Sequence, residues 1–411
     1  DNQLPIISCP SNITVNSSSR SCSAPVSFVT PIGSDNCPGA VTTQISGFAS
    51  GSLFPVGTTT NTFLVTAAGG STASCSFTVT AIDNQAPLIS CPANITTNAG
   101  TGTCAANVSY IVPVGTDNCP GASTALIGGL TSGASFPVGV TTNTFRVTDA
   151  FGNSGTCSFT VTVIDNQLPV VVCPSSIIVN AASNTCTAVV SYTAPTGADN
   201  CPGSITAQIG GLASGATFPV GVTTNIFRAT DASGNSATCS FTVTVVDNQP
   251  PAITCPANIS VNASLGLCAA TVTYTTPGGT DNCSGSVTTQ IAGLSSGTSF
   301  PVGVTTNTFS VTDGSSNSAT CSFTVTVVDN QPPTIACPAN INVNASLGIC
   351  AANVSYSTPV GADNCAGTTV SQTVGAASGA SFPIGTTTNT FRATDAAGNT
   401  STCSFTVTVI D

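Results

Sequence analysis

The triplet Asp-Asn-Gln recurs at Asp1, Asp83, Asp165, Asp247 and Asp329, 82 residues apart each time, with no insertion or deletion. A fixed internal period constrains a chain before any local propensity does, because each copy must supply one folding unit. A unit of 82 residues is long enough for a small domain with its own core. The expected domains are therefore 1–82, 83–164, 165–246, 247–328 and 329–410, with Asp411 opening the next junction. A chain that starts and stops on this boundary reads as a polymerising subunit or as a window of a longer array.

The stretch between units is the most repetitive. Cys239–Pro251 reads CSFTVTVVDNQPP, with near-copies at Cys75–Pro87, Cys157–Pro169 and Cys321–Pro333. Phe241, Val243 and Val245 alternate with Thr242 and Thr244, the period of a half-buried strand. The strand runs into Asp247 and a proline-containing connector. A stiff acidic junction at a fixed interval organises a rod.

Within the second unit, Leu88–Pro92 is a short apolar strand closed by proline, and Asn94–Thr97 resumes it as a split edge strand would. Cys104, Ala106, Val108 and Tyr110 alternate with polar or small residues. Pro113–Pro120 is a loop with an Asx-type turn, and 141–148 alternates again. Asp149-Ala150-Phe151-Gly152-Asn153 is a tight hairpin turn in which glycine supplies the positive φ. No stretch has a helical period over ten residues. About seven short strands in this length predict an all-β, antiparallel sandwich of immunoglobulin-like type.

Twenty cysteines fall four to a unit in strict register, in a chain without histidine. Even counts at fixed spacing point to disulfides and an oxidising, extracellular compartment; the close CxxC pairs of a zinc site are missing. Each bridge removes roughly 3 kcal/mol of unfolded-state entropy in the chain-entropy model. Four cysteines allow three pairings within a unit. If the second strand runs antiparallel to the first, its end lies near the first strand's start, which favours Cys9–Cys37, Cys91–Cys119, Cys173–Cys201, Cys255–Cys283 and Cys337–Cys365. The remaining cysteines then form Cys22–Cys75, Cys104–Cys157, Cys186–Cys239, Cys268–Cys321 and Cys350–Cys403.

The order CP-x-N-I, C-x-A-x-V, DNC, FPVG-x-T, D-x-x-GN and CSFTVTV-x-D resembles the hyalin repeat (HYR) domain, over all five units. The resemblance implies an immunoglobulin-like fold found in tandem in extracellular adhesive and surface proteins, with no catalytic residues.

Charged residues make up only 5% of the chain, far below the usual quarter. There is no lysine, glutamate, histidine, tryptophan or methionine, so the surface is made of Ser, Thr, Asn, Gly and Ala. A nearly uncharged surface calls for a solubilising layer or for packing against neighbours. Asn-x-Ser/Thr sequons at Asn12, Asn16, Asn94, Asn107, Asn258, Asn262, Asn282, Asn344, Asn353 and Asn399 are candidate glycan sites. The lack of any basic patch argues against nucleic acid. No apolar run approaches the length of about 18 residues that spans a membrane.

All fifteen acidic residues are aspartates, and they occupy three repeat positions. Six are junctional: Asp1, Asp83, Asp165, Asp247, Asp329 and Asp411. Five lie in the DNC loop: Asp35, Asp117, Asp199, Asp281 and Asp363. Four lie in the hairpin turn: Asp149, Asp231, Asp313 and Asp395. The expected topology brings the three positions together at each junction, where hard oxygen ligands suit Ca²⁺. Candidate ligands are Asp83, Asp117, Asn118, Asp149 and Asn153, and, in the later units, the corresponding aspartates with Asn235, Asn317 and Asn399. The competing reading is turn chemistry, since Asp and Asn side chains bond their own backbone. The first unit has Ala67 and Ser71 in place of the hairpin Asp and Asn, so calcium should be weakest there.

A serine or cysteine nucleophile would have no histidine, lysine or glutamate as base, which argues against an enzyme. Arg146, Arg228 and Arg392 share one strand position and read as solvent-facing. Tyr110, Tyr192, Tyr274 and Tyr356 share an inward position that is Phe28 in the first unit. The expected function is an extracellular structural and adhesive one: a disulfide-stiffened stalk, or a subunit of a filament built from copies of itself. The rival is an adhesin that recognises glycan or protein on a target surface through a distinctive loop.

Overall fold

The fold is taken from a computed structural model that describes residues 2–411; the junctional Asp1 lies outside the described residues. The chain divides into two compact units. One comprises the residues up to Cys173 with Ala194–Ile209 and Ile226–Ser240, the other Pro174–Thr193, Gly210–Asn225 and Phe241–Asp411, so the division runs through the third repeat.

The first repeat contains β1 (Ile13–Asn16), β2 (Ser23–Pro25), β3 (Val41–Ser46), β4 (Leu53–Pro55), β5 (Gly57–Thr66) and β6 (Thr72–Ile82). The all-β prediction holds: the described residues contain no helix. β1, β6, β5 and β3 form one sheet in that order, and β2 pairs with β4 in a second ladder. The long hairpin of β5 and β6 sets Asn61 opposite Phe77 and Phe63 opposite Cys75. The second, fourth and fifth repeats have the same two sheets in the same order.

The first strand of each repeat is split, as its proline predicts. Ile6 bridges Ser34 and Leu88 bridges Thr116 on one side. Past the proline, β1 crosses to the other sheet and runs parallel to β6, with Ile13 opposite Val79. The parallel edge recurs as Ile95 opposite Val161, Ile177 opposite Val243, Ile259 opposite Val325 and Ile341 opposite Val407.

That register corrects half of the expected disulfides. A parallel offset of 66 residues, carried four residues back from Ile13 and Val79, sets Cys9 beside Cys75. The bridges within repeats are Cys9–Cys75, Cys91–Cys157, Cys173–Cys239, Cys255–Cys321 and Cys337–Cys403, each with 66 residues between partners and a Cα–Cα distance of 5.6 Å. Cys9–Cys37, Cys91–Cys119, Cys173–Cys201, Cys255–Cys283 and Cys337–Cys365 do not form, because only the residues before the cysteine bridge toward the DNC loop, while the cysteine itself lies beside the last strand of its repeat.

The core of the first repeat draws on both sheets, with Ala24, Val26 and Phe54 from one side meeting Phe63, Phe77, Val79 and Ala81 from the hairpin. The second repeat repeats the pattern with Val108, Phe136, Phe145, Phe159, Val161 and Val163. Each buried Phe or Val contributes about 1.5–3 kcal/mol of transfer free energy. Tyr110 is a core residue as expected: its ring meets Phe159 edge-on at 5.0 Å, and its hydroxyl donates to the Leu130 carbonyl at 2.7 Å. Phe28 makes the same edge contact with Phe77 at 4.9 Å. Arg146, Arg228 and Arg392 are exposed.

Candidate functional site: the joint between repeats

Nothing in the described residues gathers chemistry as densely as the junctions. At the junction of the second and third repeats, Asp165 is buried, and its Oδ1 accepts from the Gln167 backbone N–H at 3.2 Å. This Asx turn directs the Gln167 side chain back onto the preceding repeat. There its Oε1 accepts from Gly102 N–H at 2.9 Å and its Nε2 donates to Gly100 O at 3.1 Å. A primary amide offers one acceptor and one donor side by side, so it docks on a turn as a backbone segment would.

The DNC loop of the third repeat meets the same turn. Asp199 Oδ2 accepts from Cys201 N–H at 2.9 Å, which fixes the loop. Asn200 Nδ2 donates to Thr103 O at 2.9 Å, and Cys201 is bonded to Cys104. The partners are 97 residues apart, one repeat plus 15, and their Cα atoms lie 4.8 Å from each other. Sequence reasoning missed this link, having searched for partners only within a unit.

The joint recurs. Cys22–Cys119, Cys186–Cys283 and Cys268–Cys365 join consecutive repeats with the same separation. Asn282 Nδ2 donates to Thr185 O at 3.0 Å and Asn364 Nδ2 to Leu267 O at 3.1 Å. Gln249 accepts from Asn184 N–H at 2.9 Å, and Gln331 from Gly266 N–H at 2.8 Å. In the first joint, Ser17 Oγ donates to Asp83 Oδ1 at 3.1 Å. The expected bridges Cys22–Cys75, Cys104–Cys157, Cys186–Cys239, Cys268–Cys321 and Cys350–Cys403 are thus also corrected. Cys22, Cys104, Cys186 and Cys268 are bonded to the next repeat, and the supposed partners Cys75, Cys157, Cys239, Cys321 and Cys403 are bonded beside the parallel edge strand. Among the described residues, Cys37 and Cys350 are free.

The hairpin aspartates do turn work. Asp231 Oδ1 accepts from Ser233 and Asn235 N–H at 2.9 and 2.8 Å, and Oδ2 accepts from Asn235 Nδ2 at 2.8 Å. Asn235 Nδ2 also donates to the Asp165 carbonyl at 3.0 Å, tying the hairpin to the junction backbone. The Asn153, Asn317 and Asn399 amides do the same on Asp83, Asp247 and Asp329. Burial pushes the Asp231 carboxyl up, but the hydrogen bonds from Asn235, Ser233 and Gly234 outweigh it and hold the group below the usual aspartate range. Asp149, Asp313 and Asp395 are lowered through the same balance of causes. In the first repeat the turn closes without a carboxylate, Ala67 N–H donating to Ser71 O at 2.9 Å.

Of the proposed calcium ligands, the structure brings the junctional and DNC-loop aspartates together. Asp83 with Asp117, Asp165 with Asp199, Asp247 with Asp281 and Asp329 with Asp363 each place ligand atoms within 4.8 Å, beside Cys119, Cys201, Cys283 or Cys365. Those sulfurs are bonded in disulfides and supply no thiolate. Asp165 Oδ2 and Asp199 Oδ1 are both buried with no hydrogen-bond partner, as are Asp247 Oδ2 and Asp281 Oδ1. Two such oxygens side by side repel, and a hard cation is the group that suits them. Asp149, Asp231, Asp313 and Asp395 are committed to their turns, as are the amides of Asn153, Asn235, Asn317 and Asn399. Asn118 sits beside Asp117 in the DNC loop. Asp411 is exposed at the last strand's end.

Eight sequon asparagines are exposed: Asn12, Asn16, Asn94, Asn107, Asn258, Asn262, Asn344 and Asn353. Asn282 and Asn399 are half-buried, with their amide nitrogens held in joints.

A family model described as the HYR domain matches the chain five times, at residues 1–81, 82–163, 164–245, 246–327 and 328–409. Hyalin of Strongylocentrotus purpuratus is 36% identical over 397 residues, covering 93% of this chain and 33% of that protein. Hyalin of Lytechinus variegatus is 35% identical over 386 residues, covering 90% of this chain and 72% of its own length. The chain therefore spans about a third of the first relative. The serine-rich adhesin for platelets of Staphylococcus aureus is 32% identical over 151 residues, or 31% of this chain and 6% of the adhesin. Among solved structures, the protocadherin GammaB4 extracellular domain covers the whole chain at 14% identity and a TM-score of 0.31, a likeness too loose to bear on the site.

Proposed function

The chain belongs to the HYR domain family, carried as five repeats in tandem, and we propose from this that it is an extracellular structural and adhesive element, a stalk or filament subunit stiffened at its joints. The observation that carries the reading is the disulfide between consecutive repeats, seen at Cys104–Cys201 and its three equivalents. A tether of a few residues leaves domains free to pivot. A second, covalent attachment beside that tether, with the Gln and Asn side chains locked across it, removes the pivot. Nine disulfides also require an oxidising compartment, in keeping with relatives named hyalin and adhesin.

Two finer features belong to the same reading. The aspartate pairs, Asp165 with Asp199 and its equivalents, take a divalent cation such as Ca²⁺, which relieves their repulsion and tightens the joint. The eight exposed sequons carry the solubilising glycans that a surface with so few charges needs. A role in recognising a target is the competing function, supported by the stretch similar to a platelet adhesin.

Small-angle scattering of the 411-residue chain tests the reading. The expected result is an extended, stiff particle under oxidising conditions that becomes more flexible when reduced. A flexible particle whose profile does not change on reduction overturns it.

A further inference from the structure

Each joint sets a sulfur beside its aspartate pair. At the joint of the second and third repeats, one carboxylate oxygen each from Asp165 and Asp199 and the Sγ of Cys201 lie within 4.8 Å of one another. The trio recurs as Asp83, Asp117 and Cys119, as Asp247, Asp281 and Cys283, and as Asp329, Asp363 and Cys365. While Cys201 is bonded to Cys104 its sulfur is spent, and the oxygens alone face a hard cation.

The surroundings of that sulfur do not depend on the bond. Asp199 Oδ2 accepts from Cys201 N–H at 2.9 Å, and its Oδ1 is buried with no hydrogen-bond partner. Asp165 is 4% exposed; its Oδ1 is taken by Gln167 N–H, and its Oδ2 is buried with no partner. Cys201 is 5% exposed, and Asn200 Nδ2 donates to its Sγ at 3.5 Å. All of these residues belong to the third repeat, whereas Cys104 belongs to the second. Opening the disulfide therefore leaves two unpartnered oxygens and a thiol together in one repeat.

Two carboxylate oxygens and one thiolate suit Zn²⁺ better than Ca²⁺. Calcium takes about six to eight oxygens, whereas zinc takes about four ligands and readily includes cysteine sulfur. Ligands about 2.0–2.3 Å from a tetrahedral zinc stand roughly 3–4 Å apart, so groups already within 4.8 Å need little movement. The metal also removes the repulsion that a thiolate would meet from two carboxylates.

We propose that opening the joint disulfide turns the aspartate pair into a zinc site, in which the Asp165 and Asp199 carboxylates and the Cys201 thiolate coordinate Zn²⁺. The inference rests on the reading of the joint as a disulfide beside a cation site, and names the metal taken when the bond is open. Zinc and Cys104 compete for one sulfur, so a zinc-loaded joint does not close.

The bond opens by thiol–disulfide exchange with a small thiol such as glutathione. One glutathione thiolate attacks Cys104 Sγ and expels the Cys201 thiolate. A second attacks the glutathione sulfur of the mixed disulfide and expels the Cys104 thiolate, giving oxidised glutathione. Two electrons and the two glutathione protons pass to the cysteines, and Zn²⁺ displaces the proton on Cys201.

Cys104→Ser tests the site without a reductant, because it frees the Cys201 thiol and leaves the bridges within repeats in place. The probe is Co²⁺ added to the full chain, which shows a thiolate-to-cobalt charge-transfer band when sulfur is a ligand. The wild-type chain, with Cys37 and Cys350 free, sets the baseline. The expected result is one further equivalent of Co²⁺ with that band, displaced by Zn²⁺. Cys201→Ser loses the same bridge but leaves no sulfur beside the aspartates, so it stays at baseline. Adding Asp165→Asn and Asp199→Asn to Cys104→Ser abolishes the band, and Cys186→Ser, which frees Cys283, repeats the gain at another joint. No band in either single variant that frees a joint thiol overturns the proposal. So does a band equal in Cys104→Ser and Cys201→Ser, or one that survives loss of both aspartates. Peptide mapping of the oxidised wild-type chain separates two failures. If Cys104–Cys201 is present and the band is missing, only the zinc site fails; if the bridge itself is missing, the jointed-stalk reading fails.

Discussion

The side chain of Gln167 accepts the backbone N–H of Gly102, which precedes it by 65 residues and lies in the preceding repeat. The glutamine of the repeated Asp-Asn-Gln is therefore a fastener, and the aspartate before it is the turn that aims it. Gln167→Ala leaves Gly102 N–H without this partner, while Gly100 O keeps its bonds from Thr103 N–H and Oγ1, at a cost of about 1 kcal/mol for an exposed neutral hydrogen bond. Hydrogen exchange should show faster exchange at Gly102 while the amides of the second repeat's core strands keep their protection.

The two disulfide classes should fail differently. Replacing Cys91 and Cys157 by serine removes roughly 3–5 kcal/mol from the stability of the second repeat, because the bridge staples its edge strand. Replacing Cys104 and Cys201 leaves both repeats folded and loosens the joint. Thermal melts should register the first pair, and scattering the second.

Acid should weaken the hairpins. The carboxyls of Asp149, Asp231, Asp313 and Asp395 lie below the usual aspartate range when folded. The unfolded chain therefore binds protons more readily, and the stabilisation is full above the ordinary aspartate pKa. It drains away as pH falls through the folded value. Asp231→Asn should flatten the acid limb of a melting-temperature profile. The first repeat, with Ala67, contributes nothing to this limb from its turn.

Ser316 occupies the hairpin position that is glycine in the second, third and fifth repeats, and it has φ 73° where Gly152, Gly234 and Gly398 have 93–95°. A residue with a Cβ in this region is strained by about 1–2 kcal/mol. Ser316→Gly should stabilise the fourth repeat by about 1 kcal/mol, less the entropy that glycine adds to the unfolded chain. A higher thermal midpoint would bear this out.

Calcium should raise the melting temperature of the oxidised chain, and a chelator should reverse the gain. Asp165→Asn combined with Asp199→Asn removes one of the four aspartate pairs found among the described residues and should reduce the bound calcium measured by titration calorimetry. Asp231→Asn should leave it unchanged, since that carboxylate is spent on its turn.

The alternation of Phe241, Val243 and Val245 with threonine was enough to read the strands, because burial on one face of a pleated strand leaves a period of two in any single copy. The hairpin of Asp149-Ala150-Phe151-Gly152-Asn153 was equally legible, since its determinants lie within five residues. The convergence of Asp165 and Asp199 was also within reach, but not the division of labour that leaves Asp231 to its turn. That depends on which donors surround each carboxylate.

The sequence by itself determined the period, the five units, the β class, the core positions and the presence of disulfides, all of which are local or count-based properties. Only the tertiary structure decided which cysteines pair. In near-identical repeats, a partner within a unit and the equivalent partner in the next have the same residue type and the same local context. Separations of 66 and 97 residues carry no preference in the sequence. The parallel register of Ile95 on Val161 brings Cys91 to Cys157, and the docking of the DNC loop on the preceding turn brings Cys201 within 4.8 Å of Cys104, Cα to Cα. Proximity in the folded chain settles the connectivity.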